Sequence, residues 1–582
     1  MTTTPLRRTP WELRELPAPP VQRLQRDRGL PEIVSRLLVA RGLEEPAAVD
    51  RHLQPDLMAL HDPERLPGME AAAERLVEAV HSGETILVHG DYDVDGVTGT
   101  ALLVRLFRHL GADVHWHIPN RFTDGYAFGP HSVEKARSVG AAVVVSVDNG
   151  TSSVETITQL REHGIDTVVT DHHEPPLGDL PPATAIVNPK LHDSAYPFRE
   201  LCGGAVAFKL AWGVAKRFSG GRRVRDDLRS FLLDAMAYVA IATVCDVVPL
   251  VDENRILTRY GLRALSGTEH PGLRALMRVA GLTGPNTTGE DVSFQIGPRL
   301  NASGRLGSAE TAVALLMCDD PDEAEGLARR LDDLNQERKR VEAGVLEEAL
   351  REAERYDDPE RWPVLVLAGQ GWHTGVVGIV AARMVDRFAR PAIVIGLDGD
   401  AGRGSARSVP GVSVLELMHA GKDHMPKYGG HAAAAGMDIA ADAVDDLREA
   451  INSAARESLA DGLPEAPLTI DGELPFGHMT PELMRHLDRL EPFGERNEAP
   501  VLLSRDLRLA SPPRIVGADR THLILQVRSG AHTLKAMAFK KADRVDELAL
   551  GEPLDLVYTP RWNTFRGQTN LELIVHDFRR GQ

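Results

Sequence analysis

Ile86-Leu87-Val88-His89-Gly90-Asp91-Tyr92-Asp93-Val94-Asp95-Gly96 is a short apolar strand that runs straight into a turn carrying three carboxylates behind an imidazole. Ionised carboxylates packed this closely repel one another, and a polyvalent cation is the usual reason a chain keeps them together at a strand end. The same letters open a calcium-binding EF-hand loop. With Asp91 as its first position, however, the twelfth falls on Leu102 where a bidentate Glu is required, and the loop follows a strand instead of a helix. A solvated acidic turn is the bland alternative, and the rest of the chain decides between that and a metal site.

Three further hydrophobic runs end in ligand-type residues. Ala141 to Val147 reads as a buried parallel strand and ends in Asp148-Asn149-Gly150; Asp166 to Thr170 ends in Asp171-His172-His173; the apolar helical stretch Phe231 to Val244 runs into Cys245-Asp246. In open parallel sheets ligands bind outside the carboxyl ends of the strands, so these residues can converge there. Oxygen and imidazole ligands without thiolates suit Mn2+ or Mg2+ better than structural zinc. Cys202, Cys245 and Cys318 are scattered without CxxC spacing, which argues against zinc fingers and a disulfide framework and suits a reducing compartment.

At 582 residues several domains are expected. The first roughly 70 residues, rich in Pro and Arg, are expected to pack against the domain that follows them. They hold no apolar core long enough for a secretion signal. No uninterrupted run reaches the roughly 18 apolar residues of a membrane span, so no membrane association and a cytoplasmic location are expected. Strands and helices alternate from about Glu84 to Leu250, predicting a mainly parallel sheet covered on both faces. Asp320 to Glu354 has no proline after Pro321 and predicts a long helix spanning two lobes. A second α/β unit begins near Pro363 and ends near Gly462 to Pro467, and the remainder alternates like the strands of a small barrel.

The formal net charge of -18 alone argues against nucleic acid. Residues 501–582 run against it, with 13 Lys+Arg and 9 Asp+Glu, a local balance of 13 - 9 = +4. There Phe539-Lys540-Lys541, Tyr558 and Arg561-Trp562-Asn563-Thr564-Phe565-Arg566 interleave rings with cations. Tyr558, Trp562 and Phe565 are therefore candidates for stacking on single-strand bases, unless these aromatics simply fill the barrel's core. In Gly429 to Gly436, glycines precede an Ala-rich run expected to open a helix whose amides attract phosphate.

His89 to Gly96, Asp148 to Gly150, Asp171 to His173 and Thr243-Val-Cys-Asp-Val-Val-Pro249 resemble the four ordered motifs of the DHH phosphoesterase superfamily. Gly297-Pro-Arg-Leu-Asn-Ala-Ser-Gly-Arg305, Gly371 to Gly378, Gly404 to Ser408 and Gly429 to Gly436 narrow the resemblance to its bacterial RecJ branch, over nearly the whole chain. The resemblance implies an α/β multidomain protein. Its parts would be an N-terminal segment (1–70), a mainly parallel-sheet DHH catalytic domain (71–315), a connecting helix (316–358), a DHHA1 α/β domain (359–462) and a C-terminal OB-like barrel (463–582). It also implies a metal-dependent exodeoxyribonuclease that hydrolyses single-stranded DNA from a free 5′ end, releasing 5′-mononucleotides, in DNA repair and recombination. Other members of the superfamily act on short oligonucleotides or cyclic dinucleotides, and degenerate relatives are non-catalytic scaffolds. A single-strand-binding protein and a helicase are expected partners.

Residue by residue, the resemblance implies two Mn2+ ions, or Mg2+ in their place. Asp95, Asp148, His172 and Asp246 would hold one, His89, Asp93 and the shared Asp148 the other. Asp148 would thus be both bridging ligand and catalytic residue. His173, whose side chain points away from that of its neighbour, would act on the scissile phosphate. Asp91 and Asp171 would orient the imidazoles or the turn. Arg121, Ser405 and Arg407 would receive the 5′-terminal phosphate, Arg305 the scissile region, and Gly429, Gly430 and His431 the DNA backbone. Two positions depart from the family pattern: Arg496 stands where relatives usually carry glycine, so the 490–498 loop is expected to differ, and Cys245 precedes Asp246 where a small residue is typical and is expected to be buried and inert.

Overall fold

The computed structural model describes residues 9–581 except 121–123, 125–127, 222, 461, 465–466 and 566–567, with backbone alone at 564 and 565. After a first strand, β1 (Trp11–Leu13), and three helices between Ala18 and Leu53, the catalytic sheet is built from β2 (Ile86–Gly90), β3 (Val114–His117), β4 (Val143–Val147), β5 (Asp166–Thr170) and β6 (Ala185–Val187). Its order is β3-β2-β4-β5-β6 and every pairing is parallel. The strands β2, β4 and β5 are almost wholly buried because both faces are covered, whereas edge strand β3 is half-exposed, and the buried residues divide with period two. Ile86, Val88, Val145 and Val168 pack with helices Val94–His109, Gly203–Phe218 and Asp226–Cys245. Leu87, Val144 and Val169 pack on the other face with Val133, Ile157 and Leu160.

Among the described residues, Asp226–Cys245 is the one helix long and apolar enough to cross a membrane by length and composition. The sequence reading passed it over because Asp227, Arg229 and Asp234 interrupt it. Its Ala235 to Thr243 stretch is buried in the catalytic core.

The helix Pro321–Ala353 is 33 residues long and starts under an Asp320 cap that accepts from the Asp322 and Glu323 amides. Ala324, Ala328 and Leu331 belong to the catalytic core, whereas Val345, Ala349 and Ala353 belong to the core of the next lobe. That lobe is a sheet of β7 (Leu365–Gln370), β8 (Ala392–Asp398), β9 (Ala401–Arg407), β10 (Lys427–Gly430) and β11 (Ala434–Ala440), ordered β10-β11-β9-β8-β7. The Ala-rich run after Gly430 is thus a strand of a hairpin, not a helix start. Ala435, Met437 and Ile439 are buried on one side, so period-two burial overrides the helix preference of alanine.

The last unit holds β12 (Leu468–Ile470), β13 (Gly472–Glu473), β14 (Leu502–Leu509), β15 (Arg514–Val516), β16 (His522–Ser529), β17 (His532–Ala538), β18 (Leu554–Phe565) and β19 (Gln568–Arg580). The order β14-β18-β19-β17-β16 closes on itself through a β14–β16 pairing, giving a five-stranded barrel. The N-terminal segment divides between two cores: Leu57, Leu60, Leu66 and Met69 pack with the catalytic domain, as expected, and the earlier helices do not. Val21, Leu24, Ile33, Leu37 and Leu38 share one core with Leu502, Leu525, Tyr558 and Phe578 of the barrel, and β1 pairs in parallel with β12. It also touches the catalytic domain, where Arg255 donates to the His52 carbonyl.

Candidate metal centre and phosphate cradle

Two acids of the first motif, Asp93 and Asp95, are held by helix ends. Asp93 caps Val94–His109, accepting from the amides of Asp95 (2.9 Å) and Gly96 (3.2 Å). Gly96 has to be glycine, since a Cβ there would stand 2.5 Å from the Asp91 amide nitrogen. Asp95 accepts from the amides of Gly203 (2.6 Å) and Gly204 (2.7 Å), the first two residues of helix Gly203–Phe218, where the helix dipole favours a carboxylate. A side chain on Gly203 would collide with Asp148 Cβ at 2.6 Å, and one on Gly204 with Ala242 Cβ at 2.7 Å. Sequence reasoning missed this pair; a Gly-Gly step opening a long apolar helix was the available signal.

Asp148 follows β4 with φ 63°, a left-handed conformation that Asp tolerates better than most residues. His172 Nε2 lies 3.2 Å from Asp148 Oδ1, 3.7 Å from Asp246 Oδ2 and 3.8 Å from Asp95 Oδ2. Burial, reinforced by Asp95, Asp93, Asp91 and Asp246, pushes the Asp148 carboxyl far above the usual range; burial with Asp95 and Asp93 pushes Asp246 up to about 9. Asp148 Oδ1, Asp246 Oδ2 and His172 Nδ1 are buried without a hydrogen-bond partner. Potential ligand atoms fall within 4.8 Å of one another in three overlapping groups: Asp95 with His172 and Asp246, Asp91 with Asp93 and Asp148, and Asp148 with His172 and His173. Unpartnered acceptors among mutually repelling carboxylates, with imidazole and no thiolate, fit hard divalent cations such as Mn2+ or Mg2+.

His89 stands apart from these groups. It follows Leu87 on the opposite face of β2, so its ring packs on Phe128 (centroids 4.7 Å apart) and its Nε2 lies 2.9 Å from Ser132 Oγ. The three groups contain Asp91 and not His89, which corrects the expectation for both residues. Asp171, by contrast, bonds to both histidines that follow it. Its Oδ1 accepts from the backbone amides of His172 (2.8 Å) and His173 (3.1 Å) and from His173 Nδ1 (2.8 Å), and its Oδ2 from the Thr151 amide. That hydrogen bond pushes His173 up to about 9 despite burial, so its ring is cationic at neutral pH, and half of its side chain is exposed. Cys245 is half-buried with its thiol pushed up by burial, and its Sγ fills the space a Cβ on Gly297 would take.

In the second lobe a different charge is buried. Arg407 donates to Ser405 Oγ (3.0 Å) and to the Ala406 carbonyl (2.7 Å); burial alone lowers its pKa, and no carboxylate of the described residues pairs with it. Both side chains face Gly378, where a Cβ would stand 3.0 Å from Ser405 Oγ and 3.2 Å from the guanidinium. Gly378 lies in the first turn of helix Val377–Phe388, so guanidinium, hydroxyl and helix N-terminus converge there, a combination able to take an anion. Sheet register aligns Gly429, Gly436 and Ser405 in one row; Gly429, Gly430 and His431 are exposed on the hairpin. Arg305 donates to the Gly375 carbonyl (3.3 Å), and Gly304 abuts the Tyr92 carbonyl, so helix Gly297–Leu306 wedges between the first motif and the second lobe. Arg121 lies outside the described residues.

The barrel corrects one stacking candidate. Tyr558 is fully buried with its hydroxyl 2.9 Å from Ser504 Oγ, so it belongs to the core and cannot meet a base. Trp562 is exposed and donates to Asp488; the Phe565 side chain lies outside the described residues. Beside them Thr533, Lys535, Asn563, Asn570 and Glu572 line a cleft of about 560 Å³. In the 490–498 loop, Arg496 adopts φ 54°, the conformation that explains a preference for glycine there.

Three family profiles match the chain: "DHH family, N-terminal domain" over residues 85–240, "DHHA1 domain" over 362–457 and "RecJ OB domain" over 470–577. The single-stranded-DNA-specific exonuclease RecJ of Escherichia coli is 37% identical over 566 residues, 94% of this chain and 95% of the relative. That of Bacillus subtilis is 35% identical over 569 residues, 97% of this chain and 70% of the relative. The crystal structure of Thermus thermophilus RecJ in complex with Mn2+ superposes with a TM-score of 0.81 at 30% identity, covering 98% of this chain and 80% of that one; a second, with Mg2+, gives 0.76 at 29%, covering 98% and 79%. With relatives this similar along nearly its whole length and all three domains present, this chain belongs to the RecJ family of single-stranded-DNA-specific exonucleases.

Proposed function

We propose that this enzyme degrades single-stranded DNA from a free 5′ end and releases 5′-mononucleotides, in DNA repair and recombination. The observation that carries this reading is Asp148, shared between two groups of potential ligands and fixed by an apolar strand behind it. Asp95, Asp148, His172 and Asp246 would hold one divalent ion, and Asp91, Asp93 and Asp148 the other. Bound there, the pair would activate a water and stabilise the attacking and leaving oxygens of an in-line displacement. His173, cationic and aimed by Asp171, would bind a non-bridging oxygen of the scissile phosphate through Nε2. The Gly203 and Gly204 amides hold Asp95 in place, which limits the cost of gathering the acids.

Polarity follows from the cradle. Arg407, Ser405 and the N-terminus of helix Val377–Phe388 would grip a terminal phosphate, with Arg121 expected beside them by resemblance, and Arg305 would sit between cradle and metals. A terminus held at a fixed distance from the acids is cut one nucleotide at a time. Gly429, Gly430 and His431 would follow the backbone, and Trp562 on the barrel would stack on a base further along. The domain limits 71–315, 316–358, 359–462 and 463–582 serve as working boundaries, with Val21 to Leu53 grouped with the barrel's core and Leu57 to Met69 with the catalytic domain. A single-strand-binding protein and a helicase are the expected partners, and the cytoplasm the expected compartment. A phosphodiesterase for short oligonucleotides would not need the closed barrel.

Single strands labelled at the 5′ or the 3′ end, incubated with enzyme and Mn2+, test this. Labelled mononucleotide should appear at once from the 5′ label and last from the 3′ label. The reverse order, or cleavage of dimers to tetramers only, would overturn it.

A further inference from the structure

We propose that His89, His117 and His131 form a third metal site, for a borderline transition-metal ion of the Zn2+ class, separate from the carboxylate centre. The three residues come from the ends of β2 and β3 and from the first turn of helix Pro130–Ser138, and each offers a ligand nitrogen within 4.8 Å of the others. Ring centroids are 5.2 Å (His89–His117), 5.6 Å (His117–His131) and 5.8 Å (His89–His131) apart. With Zn–N bonds of about 2.05 Å and tetrahedral angles, imidazole centroids around one ion stand about 5.2 Å apart, so the rings need only small rotations to close on it.

Three observations add to the spacing. His117 Nε2 is buried without a hydrogen-bond partner, and the His89 ring beside it is wholly enclosed. Ser132 Oγ lies 2.9 Å from His89 Nε2 and 3.3 Å from His131 Nε2, so one hydroxyl already aims both nitrogens at the same point. The donor set is all imidazole with no carboxylate among the three ligands. That selects Zn2+, Co2+ or Ni2+ over the hard ions suited to the acids. Such an ion would pin the end of β2, from which Asp91, Asp93 and Asp95 project, to edge strand β3 and the helix beyond.

Chelator-stripped enzyme titrated with Co2+ tests the proposal. The intense visible bands of tetrahedral cobalt should appear for one equivalent, and the double variant His117→Asn/His131→Asn should lose them together with one equivalent of bound metal while keeping Mn2+-dependent exonuclease activity. Equal stoichiometry and spectra in the two proteins would overturn the site. Should the variant fold poorly, X-ray absorption of the zinc-loaded wild type decides alone: a shell with three imidazoles supports the site, and an oxygen-dominated shell overturns it.

Discussion

The two halves of the proposed active site bury opposite charges. In the catalytic domain, Asp91, Asp95 and Asp148 are almost fully enclosed with Asp246 close by, and burial raises the pKa of the last three. In the second lobe, Arg407 is largely enclosed with no carboxylate to pair with, and burial lowers its pKa. Either arrangement alone costs stability, because a buried charge without its partner is expensive. Among the described residues the acids outnumber the cations near them, and Arg407 pairs with no carboxylate. On the proposed reading, divalent metal and phosphate would supply what each half is missing, and the ligands would be part of the electrostatic design of the fold.

The sharpest way to break this comparison is Asp148→Asn. Turnover should fall by about 10³-fold or more, as expected when a shared metal ligand is lost, while single-strand affinity stays within about threefold because the grip on DNA lies mostly off the metals. Without metal the same variant should melt higher than wild type, since a source of repulsion is gone. With Mn2+ the order should invert, as wild type gains about 2.7 kcal/mol at a hundredfold excess of metal over Kd. Mononucleotide release, filter binding and melting curves with and without chelator read all three. Collapse of binding alongside turnover would mean that affinity resides at the metals.

Arg407→Ala examines the other half. It should reduce the preference for a 5′-phosphorylated over a 5′-hydroxyl end by about 10- to 100-fold, the scale of a charge-assisted bidentate contact, and Arg407→Lys should not restore it. Competition between the two substrates measures this, and an unchanged preference removes Arg407 from the cradle.

His52 shows the third way of burying a titratable group, which is to keep it neutral. Burial, aided by Arg255 and Arg41, lowers it to about 3. Its contribution is therefore complete above the unfolded value of 6.5 and declines below it, as the unfolded chain takes up a proton that the native state refuses. The loss is about 2 kcal/mol at pH 5. Urea melts of His52→Gln should show a flatter dependence between pH 7 and 5 than wild type. The smallest effect expected is from Tyr558→Phe, which should cost about 1 kcal/mol through its Ser504 hydrogen bond and leave DNA affinity unchanged; a fall in affinity would return the ring to the DNA surface.

How far the sequence could be read depended on the range of the interaction concerned. Asp95, Asp148, His172 and Asp246 were legible because each ends an apolar run whose period already determines its place at a strand or helix end. His89 was misplaced because the family pattern outweighed strand alternation, which puts it with Leu87 and not with Val88. The Gly203–Gly204 amides were overlooked since nothing local shows that a helix start will meet a carboxylate more than a hundred residues earlier. Tyr558 looked like a stacking ring because aromatics beside cations read the same on either side of a barrel wall. The packing of the first helices was invisible for a related reason: an amphipathic helix states that it has a partner, not which one.

That last contact has a consequence for how the chain is made. Leu24 and Leu37 find their neighbours among residues from Leu474 onward, so during synthesis the opening helices wait for some 450 residues of later chain, roughly 20 to 90 seconds at about 5 to 20 residues per second. Throughout that interval their apolar stripe is a natural client for a ribosome-associated chaperone, and a protease arriving early would remove the lid of a barrel not yet translated.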